Sequence, residues 1–369
     1  CRRMTGPRGA ANLTRTASPV ASSSIFDRAN PDRWSVRPAD LGWLICATAL
    51  VGVGWQLGHA PFAAPTEPID SPIDLSQFKR ATIMPPKPAV IDPPHVTAEQ
   101  SDVRPEELVL GIVIGGEARA YPLNMLSGPI REILNDTLAG EPVAVTWCDF
   151  CHDAIVYSRR VNQQVLTLIV AGSMWEQSMV IRDNETGSLW SQVLGRAMEG
   201  ELAGQTLEIL PAVNTTWSDW KHRHPETTVA QLPRERQEYT RNFHRDRRRF
   251  VLGLRRGSDS GAVTFQTLAA RLVLNVQMGG EPLVITYDDE HSAARVFART
   301  VDRQTLEFLP SPRGRMRDRQ TSSIWDAGSG LCLEGKFAGA QLPQRQGLVA
   351  YTSVWRRFHP DSRDLSEAH

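Results

Sequence analysis

Cysteine is scarce: five residues in a chain of 369. Thiols so few and so widely spread exclude a scaffold built on disulfides. Net charge is absent as well. Lys and Arg number 41 and Asp and Glu 41, so the formal charge is zero, and no general attraction to nucleic acid or acidic surfaces follows. Long helical stripes are missing; apolar residues come in short runs split by turn residues. Glycines are scattered, with no phosphate loop. An apolar share of 41% and a charged share of 22% are those of ordinary globular protein.

One uncharged apolar run is long. Residues 41–60, from Leu41 to Ala60, match the length of a bilayer-spanning helix, with Trp43 and Trp55 as interfacial anchors. Residues 1–40 hold seven Arg against three Asp and no apolar period, which predicts a disordered arm. Its positive charge should stay on the cytoplasmic side. The expectation is an inner-membrane anchor with the bulk of the chain on the periplasmic, extracytoplasmic side. A cleaved signal peptide is the rival, since Ala60 and Ala63-Ala64 offer small residues for a protease. Residues 61–106 carry ten of the 25 prolines and predict a stiff linker.

What the chain does have is a repeat. Glu141-Pro-Val-Ala-Val-Thr-Trp147-Cys148-Asp-Phe-Cys151 returns as Glu281-Pro-Leu-Val-Ile-Thr-Tyr287-Asp288-Asp-Glu-His291. Leu110-Gly111 matches Leu252-Gly253, Asn135 matches Asn275, and Asp183 with Trp190 matches Asp318 with Trp325. Trp220 and His224-Pro225 match Trp355 and His359-Pro360. Matches in one order define two units, 107–226 and 249–362, with a linker at 227–248. Arg245, Arg247, Arg248 and Arg249 crowd that linker; they read as a solvated face, with a phosphate contact as the alternative.

Within each unit the pattern predicts mainly β structure of α+β type: two tandem, duplicated, antiparallel β-rich repeats with short helices. Leu108–Ile114 and Glu117–Tyr121 should form a hairpin across Gly115-Gly116. Pro142–Trp147 should run into the cysteine loop and Ala154–Tyr157 leave it. Thr215 or Thr216 should cap a short helix through Trp217 and Trp220, closed by Pro225.

The framework is shared, but Cys148 and Cys151 stand where the second copy has Asp288 and His291. Two cysteines spaced by two residues allow four chemistries. They can supply half of a four-ligand zinc or copper site, and His152, His222, His224 and Asp183 are candidates for the rest. They can cycle between dithiol and disulfide, with Cys148 attacking and Cys151 resolving. They can form a static disulfide that staples a non-catalytic binding module. With His152 they also spell Cys-x-x-Cys-His, the pattern of covalent c-type haem attachment. Asp288 and His291, with His359, make a weaker oxygen/nitrogen site in the second copy. Metal or thiol redox at Cys148 and Cys151 is the leading expectation, haem through Cys148, Cys151 and His152 the alternative.

The chain resembles the Domain of Unknown Function 3179 family of bacterial and archaeal proteins. The resemblance rests on Gly116-Glu-Ala-Arg-Ala-Tyr-Pro-Leu123, Glu132-Ile-Leu-Asn-Asp136 and Val145-Thr-Trp-Cys-Asp-Phe-Cys151. It continues through Asp183-x-x-Thr-Gly-Ser-Leu-Trp-Ser-Gln192, Gly195-Arg-Ala197 and Trp220-x-x-x-His-Pro225, and it spans roughly 100–365. That family usually has Pro after the first cysteine and often Gly after the second, where this chain has Asp149 and His152. The resemblance implies a fold and a compartment and carries no reaction.

Overall fold

Each repeat is built from three larger antiparallel-rich sheets and one two-stranded ribbon, and the second repeat follows the same layout. The computed structural model describes residues 76, 78–128, 130–234 and 238–367. The expected arm (1–40) and membrane helix (41–60) lie outside the described residues. Among those described, no helix is long and apolar enough to cross a membrane.

The first sheet of repeat one starts from the hairpin Leu108–Ile114 and Glu117–Pro122. Its turn, Gly115-Gly116, has φ of +57° and +86°, which two glycines adopt without Cβ strain. Ala212–Thr216 pairs on one side of the hairpin, and Thr228–Ala230 with His95–Thr97 on the other. The second sheet carries the cysteine loop: Ile133–Leu138, Glu141–Cys148 and Asp153–Ser158 form a meander. The third sheet joins Leu168–Trp175, Ser178–Asp183, Leu189–Ser191 and Arg196–Glu199. In repeat two the same roles fall to Phe250–Arg256 with Asp259–Thr264, to Val273–Met278, Glu281–Asp288 and Ala293–Ala298, and to the Phe308–Glu334 meander.

Repeated side chains join the sheets. The Asn135 amide donates to the Leu168 carbonyl and its oxygen accepts from the Leu168 N–H, both at 2.9 Å. Asn275 does the same with Phe308 at 2.8 and 2.9 Å. Each amide thus acts as one extra rung between the second and third sheets, satisfying buried backbone groups. Asp183 caps the following turn through Thr186 and accepts from the Trp190 indole N–H at 2.9 Å. Asp318 repeats this with Thr321 and, at 3.0 Å, Trp325. Both tryptophans are fully buried.

The stiff spacer expected at 61–106 differs in its described part. Ala81–Thr82, Val90–Ile91 and His95–Thr97 each pair with a sheet of repeat one. The reason is burial: Ala98 and Val103 enter the same core as the hairpin. The linker expected at 227–248 is likewise folded in, through Val229 and Tyr239.

The two repeats cover each other reciprocally. Leu348–Tyr351 of repeat two packs beside Asp153–Ser158 of repeat one, and the equivalent Ala212–Thr216 packs beside Ala293–Ala298. An exchange of equivalent surfaces is the mark of an isologous, approximately twofold contact. Each repeat also sends a short helix, Trp217–Arg223 or Thr352–Phe358, that follows the exchanged strand. The core around the cysteines therefore includes Leu348, Ala350, Val354, Trp355 and Phe358 from the other repeat.

Candidate functional site

The strand Glu141–Cys148 ends on the first cysteine because the chain must reverse there. Asp149 and Phe150 form the turn, and His152 takes φ of +54°. The His152 N–H donates to the Cys148 carbonyl at 2.8 Å and closes the loop. Ser292 stands at the equivalent position with φ of +52°, so the backbone of this loop belongs to the repeat and the side chains to the chemistry.

Asp149 anchors the loop. Its Oδ1 accepts from the Trp147 indole N–H, from Tyr239 OH at 3.0 Å and from Ser127 Oγ at 3.2 Å. Glu132 lies near enough that the Asp149 charge, added to burial, pushes its carboxyl up to about 7. Phe150 projects from the tip and is 66% exposed.

Both thiols are buried, Cys148 at 1% and Cys151 at 0% exposure, and both are free. They are not equivalent. The Cys151 N–H points at Cys148 Sγ, 3.3 Å away. The Cys151 thiol faces Gln192 Oε1 at 3.6 Å and Ser178 Oγ at 3.8 Å. Burial pushes its titration well up, and the neighbouring Cys148 and Asp153 add to the effect.

Asp153 opens the returning strand, directly across the ladder from Cys148. Directly paired residues share a sheet face. Asp153 is completely buried, and neither carboxyl oxygen has a hydrogen-bond partner among the described residues. Burial raises its titration well above the usual carboxylate range.

The structure separates His152 from the thiols. Its ring lies among Phe243 at 4.4 Å, Tyr351 at 4.5 Å, Trp147 at 5.4 Å and Tyr239 at 5.9 Å. Burial in this box, with the Arg249 charge nearby, depresses it to about 4. Among the described residues, Cys148, Cys151 and His152 do not form a group of three converging ligand atoms. A porphyrin bonded to both thiols would have to open the core around them. Asp183 is committed to its turn and to Trp190, and His224 and His359 stack on Trp220 and Trp355 at 4.2 and 4.1 Å. His222 lies on the helix that faces the other repeat's loop.

Asp288 and His291 do come together. His291 Nδ1 lies 2.8 Å from Asp288 Oδ2, and a ligand atom of Asp219 from repeat one lies within 4.8 Å of both. Asp219 is already held, however. Arg295 donates to its Oδ2 and Arg223 to its Oδ1 at 2.7 Å, while Thr215 Oγ1 bonds it at 2.7 Å. Two guanidiniums balance the two carboxylates, so a cation would enter against Arg295 and Arg223. The cluster is an ion-pair network between repeats, extended by Arg223 to Asp326 at 2.9 Å.

An open cleft of about 570 Å³ lies elsewhere, between Arg80–Pro86 and the third sheet, lined by Arg182, Glu199 and neighbours. It contains none of the thiol-loop residues.

Compared with known families, residues 87–248 match one described as a protein of unknown function, DUF3179, and residues 244–362 match it again. The chain belongs to the DUF3179 family. The double match makes each repeat one family unit, and in this DUF3179 protein only the first unit carries the Cys148/Cys151 pair. No curated protein and no solved structure matches the chain.

Sequence reasoning missed Asp153, Gln192, Ser178 and Asp219. A signal for three of them exists in the repeat. Asp153 aligns with Ala293, Gln192 with Ala327 and Asp219 with Val354. Polar residues that replace apolar ones at buried positions of a duplicated frame mark where the copies diverged chemically.

Proposed function

We propose that this protein exchanges electrons through Cys148 and Cys151 as a dithiol/disulfide pair, held on the extracytoplasmic side of a membrane by residues 41–60. The observation that carries the reading is the asymmetry of the two sulfurs. Cys148 Sγ receives a backbone N–H, whereas Cys151 is kept as a thiol by burial and by the neighbouring Cys148 and Asp153, with Gln192 Oε1 facing it. An attacking thiolate and a resolving thiol need this difference.

Cys148 thiolate attacks one sulfur of a substrate disulfide and releases the other as a thiolate. A mixed disulfide forms. Cys151 then attacks Cys148 Sγ, the bond to the substrate breaks, and the second substrate thiolate leaves. The protein loses two electrons and the substrate gains them. Because both thiols are buried, attack requires the loop 148–152 to lift. The exposed Phe150 at its tip and the anchors of Asp149 mark the segment that moves.

The two cysteine variants test the reading. With Cys1, Cys46 and Cys332 replaced by Ala in both, Cys151→Ser should trap a stable mixed disulfide with a small disulfide substrate, and Cys148→Ser should trap none. Equal behaviour of the two variants, or a stoichiometric metal lost on replacing Cys148, would overturn it.

A further inference from the structure

The thiol-exchange reading raises a chemical difficulty. Cys151 must become a nucleophile in the second step, yet its surroundings hold the proton on sulfur. We infer that Asp153 is the proton acceptor for Cys151, taking the thiol proton as Cys151 attacks Cys148 Sγ. This inference rests on the proposed exchange and adds a residue to it.

Three observations support the assignment. Asp153 lies opposite Cys148 in the hairpin ladder, on the same sheet face, and Cys151 lies close enough to act on the carboxyl. Its side chain is fully buried, and among the described residues neither oxygen has a partner of hydrogen-bond geometry, a state a native fold rarely leaves without purpose. The neighbouring polar side chains are already committed to Cys151 or to each other. Gln192 Nε2 donates to Thr146 Oγ1 and to the Asp153 carbonyl, each at 3.1 Å, and so fixes the backbone from which the carboxyl projects.

The second repeat supplies an internal comparison. Its hairpin keeps Thr286 in place of Thr146 but has Asp288, His291, Ala293 and Ala327 where the first has Cys148, Cys151, Asp153 and Gln192. The carboxyl and the amide occur in the copy that has the thiols. A purely structural need of the hairpin would apply to both copies, and Ala293 meets it without a carboxyl, fully buried.

The proton balance is closed. In the mixed disulfide, with the loop lifted and solvent reaching the corner, Cys151 is a thiol and Asp153 a carboxylate. The proton moves to Asp153 as the Cys151–Cys148 bond forms and the substrate thiolate departs. Asp153 then returns the proton to solvent when the loop next opens. A buried carboxylate is a stronger base than an exposed one, which suits it to an unwilling thiol.

The experiment uses the full chain with Cys1, Cys46 and Cys332 replaced by Ala, the wild-type loop being kept, and an aromatic disulfide, 5,5′-dithiobis(2-nitrobenzoate), whose released thiolate is coloured. The wild type should release two equivalents, one at attack and one at resolution. Asp153→Asn should release the first at an unchanged rate and the second at least ~10-fold more slowly near pH 7, with the deficit shrinking as pH rises and solvent base takes over. Equal second-phase rates and pH profiles in the two proteins would overturn the assignment while leaving thiol exchange intact. A single equivalent from the wild type, as from Cys151→Ser, would instead overturn the exchange reading itself. Should Asp153→Asn not fold, infrared difference spectra of reduced and oxidised wild type serve. A buried carboxylic acid band that changes with thiol oxidation is expected, and no carboxyl change would count against Asp153.

Discussion

At the scale of single residues, burial sets opposing titrations. His244 and His359 are depressed to about 3, and His152 to about 4, each chiefly by burial. Below the ordinary histidine range near 6.5 the unfolded chain binds protons that the fold refuses, so these groups cost stability as pH falls from there. Each costs up to about 1.4 kcal/mol per pH unit. Glu132, raised to about 7, acts in the other direction: the fold takes its proton first, and stability is gained between about pH 7 and 4.5. Asp153 has the same sign. Three histidines losing against two carboxyls gaining leave a net loss of about 1.4 kcal/mol per unit from pH 6.5 to about 4.5, and the fall should steepen below, when Glu132 stops contributing and the low-titrating Asp219 begins to cost. In Glu132→Gln the fall between about pH 6.5 and 4.5 should be about twice as steep. Urea midpoints measured at pH 7, 5.5 and 4 check both; a wild type that holds its full stability down to pH 4 would contradict the balance. The two cysteines were legible in the sequence because their spacing is a motif. Asp153 was not, because an acidic residue beside Cys-x-x-Cys-His has no spacing rule of its own and acquires meaning only from a buried ladder partner.

At the scale of elements, glycine positions separate close packing from backbone strain. A Cβ on Gly111 would lie 2.2 Å from the Trp220 ring, and one on Gly253 2.2 Å from Trp355. Each helix therefore rests its indole directly on a strand backbone. Gly111→Ala should destabilise by ~2–3 kcal/mol, the upper part of the overpacking range, because a ring under a helix cannot retreat. Gly140, with φ of +77° and open space around it, should lose only ~1–2 kcal/mol on Gly140→Ala, the left-handed penalty. Reversal of that order in denaturant titrations would mean that the helix is not seated as described. The hairpin Leu108–Ile114 with Glu117–Pro122, the strand Ser178–Asp183 and the Thr216-capped helix were all readable from local signals. What was not readable is how the strands divide into sheets. The Asn135 and Asn275 clamps, which join sheets across 33 residues, depend on contacts that no local pattern encodes.

At the scale of the whole molecule, the repeats do not stand alone. The cysteine core includes Val251, Leu348, Ala350, Val354, Trp355 and Phe358 from the second repeat, and separation would expose that surface to water. Residues 78–248 and 249–367 produced as separate chains should each lack a cooperative thermal transition, and mixing them should restore one. Two independent cooperative transitions would sink this expectation. The contact has one charged end, at Asp219, Arg295 and Arg223, and one apolar end, where Val354 stands in place of Asp219. This reciprocal covering bears on descent. An ancestor with one repeat per chain, pairing with itself, would have owned two identical loops and two identical covers. Once the copies were joined in one gene, each could be inherited for only half of its former duties. The second copy carries Asp288 and His291 where the thiols would stand, yet it still supplies the strand and helix that cover Cys148 and Cys151, so the duty of sheltering outlives the residues sheltered.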